Sequence, residues 1–189
     1  MYLFFDTETT GFPTYPTSDF RNWPRLVQLA WILTDDQGIE LERHCNIVKP
    51  NGFRIPERVS KIHGITTEIA HTEGVNLVHV LRHFLIGTNN ANVLVAHNFN
   101  FDYGVLRSEL LRNNIPDFLR GYKRYCTMKS KPIVDYCMIL RGDQKPKWPK
   151  LEELYNLLFN HKMENAHNAL ADTEACVRCF FKLKDLGLI

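Results

Sequence analysis

The apolar positions of this chain fall into runs of two kinds. Residues 2–6 ("YLFFD") and 92–96 ("NVLVA") are short continuous apolar runs, of the length and type of buried strands. Residues 25–35 ("RLVQLAWILTD") and 39–50 ("IELERHCNIVKP") are longer β-rich runs. They flank "DDQG", a turn signal, and so predict a hairpin. The remaining apolar residues recur at helical spacing. "IPERVSKIHG" (55–64) predicts a short helix. In "TEGVNLVHVLRHFLIG" (72–87), Thr72 is the expected cap, with Val75, Val78, Leu81 and Leu85 following. Val105, Leu106 and Leu110 predict a helix within "HNFNFDYGVLRSELLRNN" (97–114), stopped at residues 113–116. "SKPIVDYCMIL" (130–140) and "LEELYNLLF" (151–159) are two more helices, separated by the polar, Pro-rich "RGDQKPKWPK". In the last helix, "HNALADTEACVRCFFKLKDLG" (167–187), an inner face is drawn by Ala169, Thr173, Cys176, Val177, Phe180 and Leu183.

The order is thus β-β-β-α-α-β-α followed by helices. It predicts an α/β layered domain with a mixed central β-sheet flanked by helices, formed as a single domain over residues 1–189. One connection is unusual: "FPTYPTSDFRNWP" (12–24) carries three prolines and predicts a long loop.

Composition narrows the class. A hydrophobic content of 44% and charged content of 23% suit a soluble globular chain, and a net charge of +2 is too small to argue for nucleic acid by itself. The five cysteines are odd in number and scattered, which points to free thiols in a reducing compartment rather than a disulfide framework. The start lacks the basic and apolar regions of a signal peptide, and no run has the length of a membrane span. The expectation is a cytoplasmic protein.

The candidate chemistry is acidic. Asp6 and Glu8 stand two residues apart where the first strand runs into "TTG", so their side chains share a face and repel. Asp102 follows the "NVLVA" strand near a helix start, and His167 and Asp172 open the last helix. Each element alone has a plainer explanation: an Asp near a helix start is usually a cap, and a strand-end acidic pair is often a solvated edge. Together they match the ends of strands in open α/β sheets, where sites are built. Hard divalent cations make such a cluster stable, and two Mg²⁺ ions can clamp both oxygens of a phosphoryl displacement. Asp6 is the candidate to bridge both ions. His167 is the candidate general base, since an imidazole titrates near neutrality.

"DTETTG" (6–11), "HNFNFDYGVL" (97–106) and "HNALAD" (167–172) resemble, in order, the three motifs of the DEDDh 3′–5′ exonucleases. The resemblance implies an RNase H-like fold and two Mg²⁺ or Mn²⁺ ions. It implies Asp6, Glu8, Asp102 and Asp172 as metal ligands and His167 as base, with release of 5′-mononucleotides from a 3′ end. It further implies that Thr9, Thr10, Gly11 and Phe12 contact the terminal nucleotide and that His97, Asn98 and Phe101 line the same site. Phe12 stands where many relatives have Leu, and the 12–24 loop is longer than usual. DNA with single-stranded ends is the favoured substrate, with an exoribonuclease as the alternative. Polymerase association and a homodimer both stay open.

Two other classes compete: a metal-free hydrolase with two carboxylates, and a non-catalytic nucleic-acid-binding module on the same fold. Two basic stretches, Lys123, Arg124, Lys129, Lys131 and Arg141, Lys145, Lys147, Lys150, are candidates for backbone phosphates, although a solvated surface explains most of them. Trp148 either stacks on a base or packs on the next helix. His79 and His83, at i and i+4, lack the glutamate of a zinc-protease helix and are set aside. Cys176 and Cys179 form a lone C-x-x-C and read as small core residues.

Overall fold

A computed structural model describes all residues 1–189. Five strands form one mixed sheet: β1 (Tyr2–Thr9), β2 (Leu26–Thr34), β3 (Glu40–Ile47), β4 (Val93–Ala96) and β5 (Lys123–Cys126), in the order β3-β2-β1-β4-β5. β1 pairs antiparallel with β2 and parallel with β4. The hairpin turn between β2 and β3 is closed by Asp35, whose Oδ1 accepts from the Gln37 and Ile39 amides. The helices are α1 (Glu57–His63), α2 (Thr67–Glu73), α3 (Leu77–Thr88), α4 (Phe99–Arg112), α5 (Lys131–Arg141), α6 (Leu151–Phe159) and α7 (Ala169–Asp185).

Strand alternation divides the core between the two faces of the sheet. Leu3, Phe5, Leu29 and Trp31 point to one face and pack with Phe84 of α3 and Leu106 of α4. Phe4 and Val95 point to the other and meet Cys176 and Phe180 of α7. Every residue of β2 is buried because both faces are covered there. β4 reaches only as far as the Phe4–Val95 pair. Beyond Phe4, β1 therefore has a paired strand on one side alone. This leaves an open crevice at its carboxyl end, beside the start of α4.

The long 12–24 loop is ordered by α4. Arg112 donates to the carbonyls of Phe20, Trp23 and Pro24. Its partner Glu109, buried on the same helix, also accepts from Arg25 Nε at 2.7 Å and from the Leu26 amide. The Trp23 ring lies over Gly104, in a notch that a side chain would fill.

Several features differ from the sequence reading, which expected two helices between β3 and β4 where the chain forms three, α2 being the additional one. Thr72 does not cap α3. It lies inside α2, its hydroxyl donating to the Glu68 carbonyl, while Asn76 caps α3 by accepting from the Val78 amide. The break between the helices comes from Gly74, which packs directly against Lys49, and from Val75, which bridges Val48 rather than joining α3. β5 is a further difference. Its four residues include Lys123 and Arg124, so sequence patterning shows only charge, yet the backbone completes the sheet beside β4. The guanidinium of Arg124 lies 4.0 Å above the Tyr103 ring rather than standing free.

Filling the notch under Trp23 tests how firmly the loop is docked. Gly104→Ala is expected to destabilise the protein by ~1–3 kcal/mol through overpacking, read as a shift in the urea midpoint. Unchanged stability would show that the Trp23 contact is not held in solution.

Candidate active site

The first strand carries Asp6 and Glu8 to the open crevice on the face covered by α7. Asp172, in the first turn of α7, meets them there. Ligand oxygens of Asp6, Glu8 and Asp172 all lie within 4.8 Å of one another. Asp102 enters from α4 on the other side of the strand. Its Oδ1 accepts from the Thr7 amide at 3.1 Å and the Thr7 hydroxyl at 2.7 Å, so the residue between the two strand acids fixes the third. None of the four carboxylates forms a salt bridge with Lys or Arg.

Without a cation the cluster holds protons. Withdrawal from solvent, followed by the charges of Asp102, Asp172 and Glu8, drives Asp6 well above the usual carboxylate range. Burial, then Asp172 and Asp102, pushes Glu8 up to about 8. Burial lifts Asp102 to about 7, despite the opposing Thr7 hydrogen bonds, and lifts Asp172 to about 6, where His167 opposes it. The donor set is all oxygen and has surplus negative charge, which suits a hard divalent cation.

α7 is held in place by a residue that sequence patterning did not mark. Gln28, opposite Glu8 on β2, is buried and accepts the Ala169 amide at 3.1 Å. Asn168 caps the helix through the Leu170 and Ala171 amides, and the Asp172 amide bonds back to the Asn168 carbonyl. His167 immediately precedes the cap at φ 66°, a conformation rare outside glycine. Its side chain is exposed, with Nε2 3.6 Å from Glu152 Oε1. It borders a cleft of about 530 Å³ whose opposite wall is His63 and Gly64 at the end of α1. His63 is the other residue that patterning missed. It is buried, its Nδ1 accepts the Ile65 amide, and its Nε2 has no hydrogen-bond partner. Burial holds its imidazole below the usual value. Its only sequence signal was a histidine placed directly before the glycine that ends a helix.

The "TTG" turn uses its own hydroxyls. Thr9 Oγ1 donates to the Gly11 carbonyl, and Thr10 Oγ1 accepts the Arg25 amide at 2.9 Å. Gly11 adopts φ 143°, which favours glycine. Phe12 is then thrown outward, 83% exposed, with its ring 5.9 Å from Phe101. Phe101 in turn leans on Trp23. Asn98 sits at φ 64° at the start of α4 without a side-chain capping bond. His97 faces inward instead. Thr127 bonds its Nδ1 at 2.9 Å and the Pro149 carbonyl its Nε2 at 3.0 Å, and burial drops its pKa to about 4. The basic stretches are partly spent: Arg141 pairs with Asp143, Lys131 with Asp135 and Lys147 with Glu153, whereas Lys129 lies over the exposed Trp148 ring.

A protein-family model described as "Exonuclease" matches residues 3–180. This chain belongs to the exonuclease family. Among relatives in this family, a DNA polymerase III subunit epsilon from Treponema pallidum is 34% identical over 108 residues, 56% of this chain and 44% of that protein. A DNA polymerase III of PolC type from Lactococcus lactis is 27% identical over 95% of this chain and 10% of its own length. Among solved structures, a zinc-bound complex of E. coli exonuclease I with single-stranded DNA is 25% identical, with TM-score 0.76, across 97% of this chain and 40% of that one. The chain therefore spans less than half the length of each of these. The fold is the RNase H-like one of exonuclease I, as the motifs implied, and the DEDD 3′–5′ group is the one the chain falls in.

The proton-holding cluster has a thermodynamic signature. Glu8 titrates near 8 in the folded chain against an ordinary 4.5, so the folded state keeps a proton that the unfolded state has released. Stability then falls as pH rises through that interval. His97 acts oppositely, but only below its ordinary 6.5. In EDTA, wild-type stability should fall between about pH 6.5 and 8. Glu8→Gln should exceed wild type by a margin that widens toward pH 8, read from urea midpoints. A pH-independent margin would show that Glu8 is not crowded.

Proposed function

We propose that this chain is a divalent-metal-dependent 3′–5′ exonuclease that releases 5′-mononucleotides from single-stranded 3′ ends, with DNA as the favoured substrate. The observation that carries this reading is the convergence of Asp6, Glu8 and Asp172 on one crevice, with Asp102 alongside and no protein cation among them. The family match sets the class of chemistry. The single-stranded DNA complex of exonuclease I and the polymerase relatives support DNA ends as substrate and work alongside a polymerase.

The residues fit a pair of Mg²⁺ or Mn²⁺ ions, which Asp6, Glu8, Asp102 and Asp172 would hold. Such ions, when bound, sharpen the nucleophilicity of water and stabilise negative charge on the attacked phosphate. The chain's own groups do the rest. His167, exposed beside the cleft and next to Glu152, accepts the proton of the attacking water. Phe12 offers a free ring face to the terminal base, and Phe101 braces it. The Thr9–Thr10–Gly11 turn presents backbone to the terminal nucleotide, its geometry fixed by its own hydroxyl bonds. Asn98, whose side chain makes no capping bond at the start of α4, is left free to meet the substrate, and His97 holds the Pro149 carbonyl. The metal-free reading is weaker because it uses two carboxylates, whereas three converge here with Asp102 and His167 nearby.

Matched DNA and RNA oligonucleotides, labelled at either end, test the proposal. With Mg²⁺ the 5′-labelled strand should shorten progressively, the 3′ label should appear at once as mononucleotide, and EDTA should stop both. Asp6→Asn should abolish release while circular dichroism is unchanged. His167→Ala should lower kcat by ~10²–10⁴-fold, and Phe12→Ala should raise KM, costing ~1–3 kcal/mol of stacking. Chelator-resistant cleavage, or tight strand binding without release under Mg²⁺ or Mn²⁺, would overturn the reading.

A further inference from the structure

The edge strand β3 divides its side chains between the two faces of the sheet. Arg43 turns to the α7 face, where it pairs with Glu174. Glu42 and His44 turn to the opposite face, toward α3. His44 is registered opposite Trp31 on β2, and its ring lies 4.3 Å from the Trp31 ring. Trp31 is itself buried and packed against Gly87 of α3, so the floor beneath His44 is fixed.

Three potential donors gather on that floor. His44 Nε2 lies 2.8 Å from Glu42 Oε1. The His83 ring, from α3, meets His44 edge-on with centroids 4.2 Å apart. The donor atoms of Glu42, His44 and His83 all fall within 4.8 Å of one another. Two imidazoles and a carboxylate are three of the four ligands of a tetrahedral site that keeps one position for water. A groove of about 350 Å³ along α3, lined by Asn46, His79, Val80 and His83 among others, adjoins the cluster at His83, although Glu42 and His44 do not line it. The helical pair His79 and His83 is thus not the relevant one. His83 finds its partners across the fold on β3, at a sequence separation that no local spacing displays.

We propose that Glu42, His44 and His83 form a second metal site, selective for zinc or a similar borderline transition metal, that fastens the edge strand β3 to α3. The crevice of Asp6, Glu8 and Asp172 offers only oxygen and suits hard cations, whereas imidazole nitrogen suits zinc. The two sets also lie on opposite faces of the sheet, since Asp6 and Glu8 share the α7 face with Phe4. On binding, the metal replaces any proton on the donor nitrogens of His44 and His83 and takes the place of the His44–Glu42 hydrogen bond. The site is independent of the nuclease reading.

Equilibrium dialysis of the full chain against micromolar zinc in millimolar Mg²⁺, with metal content measured, tests the assignment. Wild type, His79→Ala and Asp6→Asn should each retain an equivalent of zinc that His83→Ala and His44→Ala lose, with affinity at that site down by more than about 100-fold. His83 is exposed, so its variant should fold normally by circular dichroism even if His44→Ala does not. In the same millimolar Mg²⁺, zinc should also raise the Tm of wild type and of Asp6→Asn by more than that of His83→Ala. Equal retention by wild type and folded His83→Ala would overturn the proposal. So would a loss of all retained zinc in Asp6→Asn, which would place the metal in the acidic crevice.

Discussion

Four carboxylates held at the end of one strand, with no cationic side chain among them, are the constraint around which this molecule is organised. Asp6 and Glu8 share a strand face, and the fold brings Asp172 onto them rather than away from them. In a purely structural design, such crowding would be relieved by an arginine or dispersed into solvent. Here the acids are withdrawn from water and their charge is suppressed by protons when no ion is present. The crowding costs stability locally, and the proposed divalent cation would relieve it.

The surrounding elements can be understood as supports for that cluster. Gln28 anchors the start of α7 and so sets where Asp172 falls. Thr7 turns Asp102 with two hydrogen bonds from a single residue. The early end of β4 leaves one side of β1 open, which is where Asp102 and the start of α4 fit. The same helix holds the 12–24 loop through Arg112 and the Gly104 notch under Trp23, while Glu109 fixes Arg25 just beyond it, and the Phe12 ring lies against Phe101 of that helix. A long loop with three prolines is thereby tied to α4 at its carboxyl end.

The two faces of the sheet carry different donor chemistry. The α7 face ends in oxygen donors, and the α3 face, at the edge strand, gathers imidazoles over a buried tryptophan. This separation follows from strand alternation. Residues at even positions of β1 and those of β3 registered with Trp31 are forced to opposite sides. Chemistry of two kinds can therefore sit within one five-stranded sheet without mixing.

By itself the sequence determined what depends on local order. The hairpin, the buried strands, the existence of α7 and the motif acids were all visible as periodicity and spacing, because side-chain direction repeats every two residues in a strand and every 3.6 in a helix. The expected inner face of α7 is buried at Ala169, Thr173, Cys176, Phe180 and Leu183 for that reason, whereas Val177, also expected there, is only half-buried. Tertiary structure decided the remainder. β5 exists because β4 offers it an edge, and nothing in "KRYC" demands a strand. Val75 left α3 because Val48 paired with it. Gln28, His63 and the Glu42–His44–His83 group take their meaning from neighbours distant along the chain. Such contacts depend on where whole elements pack, and no repeat along the backbone encodes that placement.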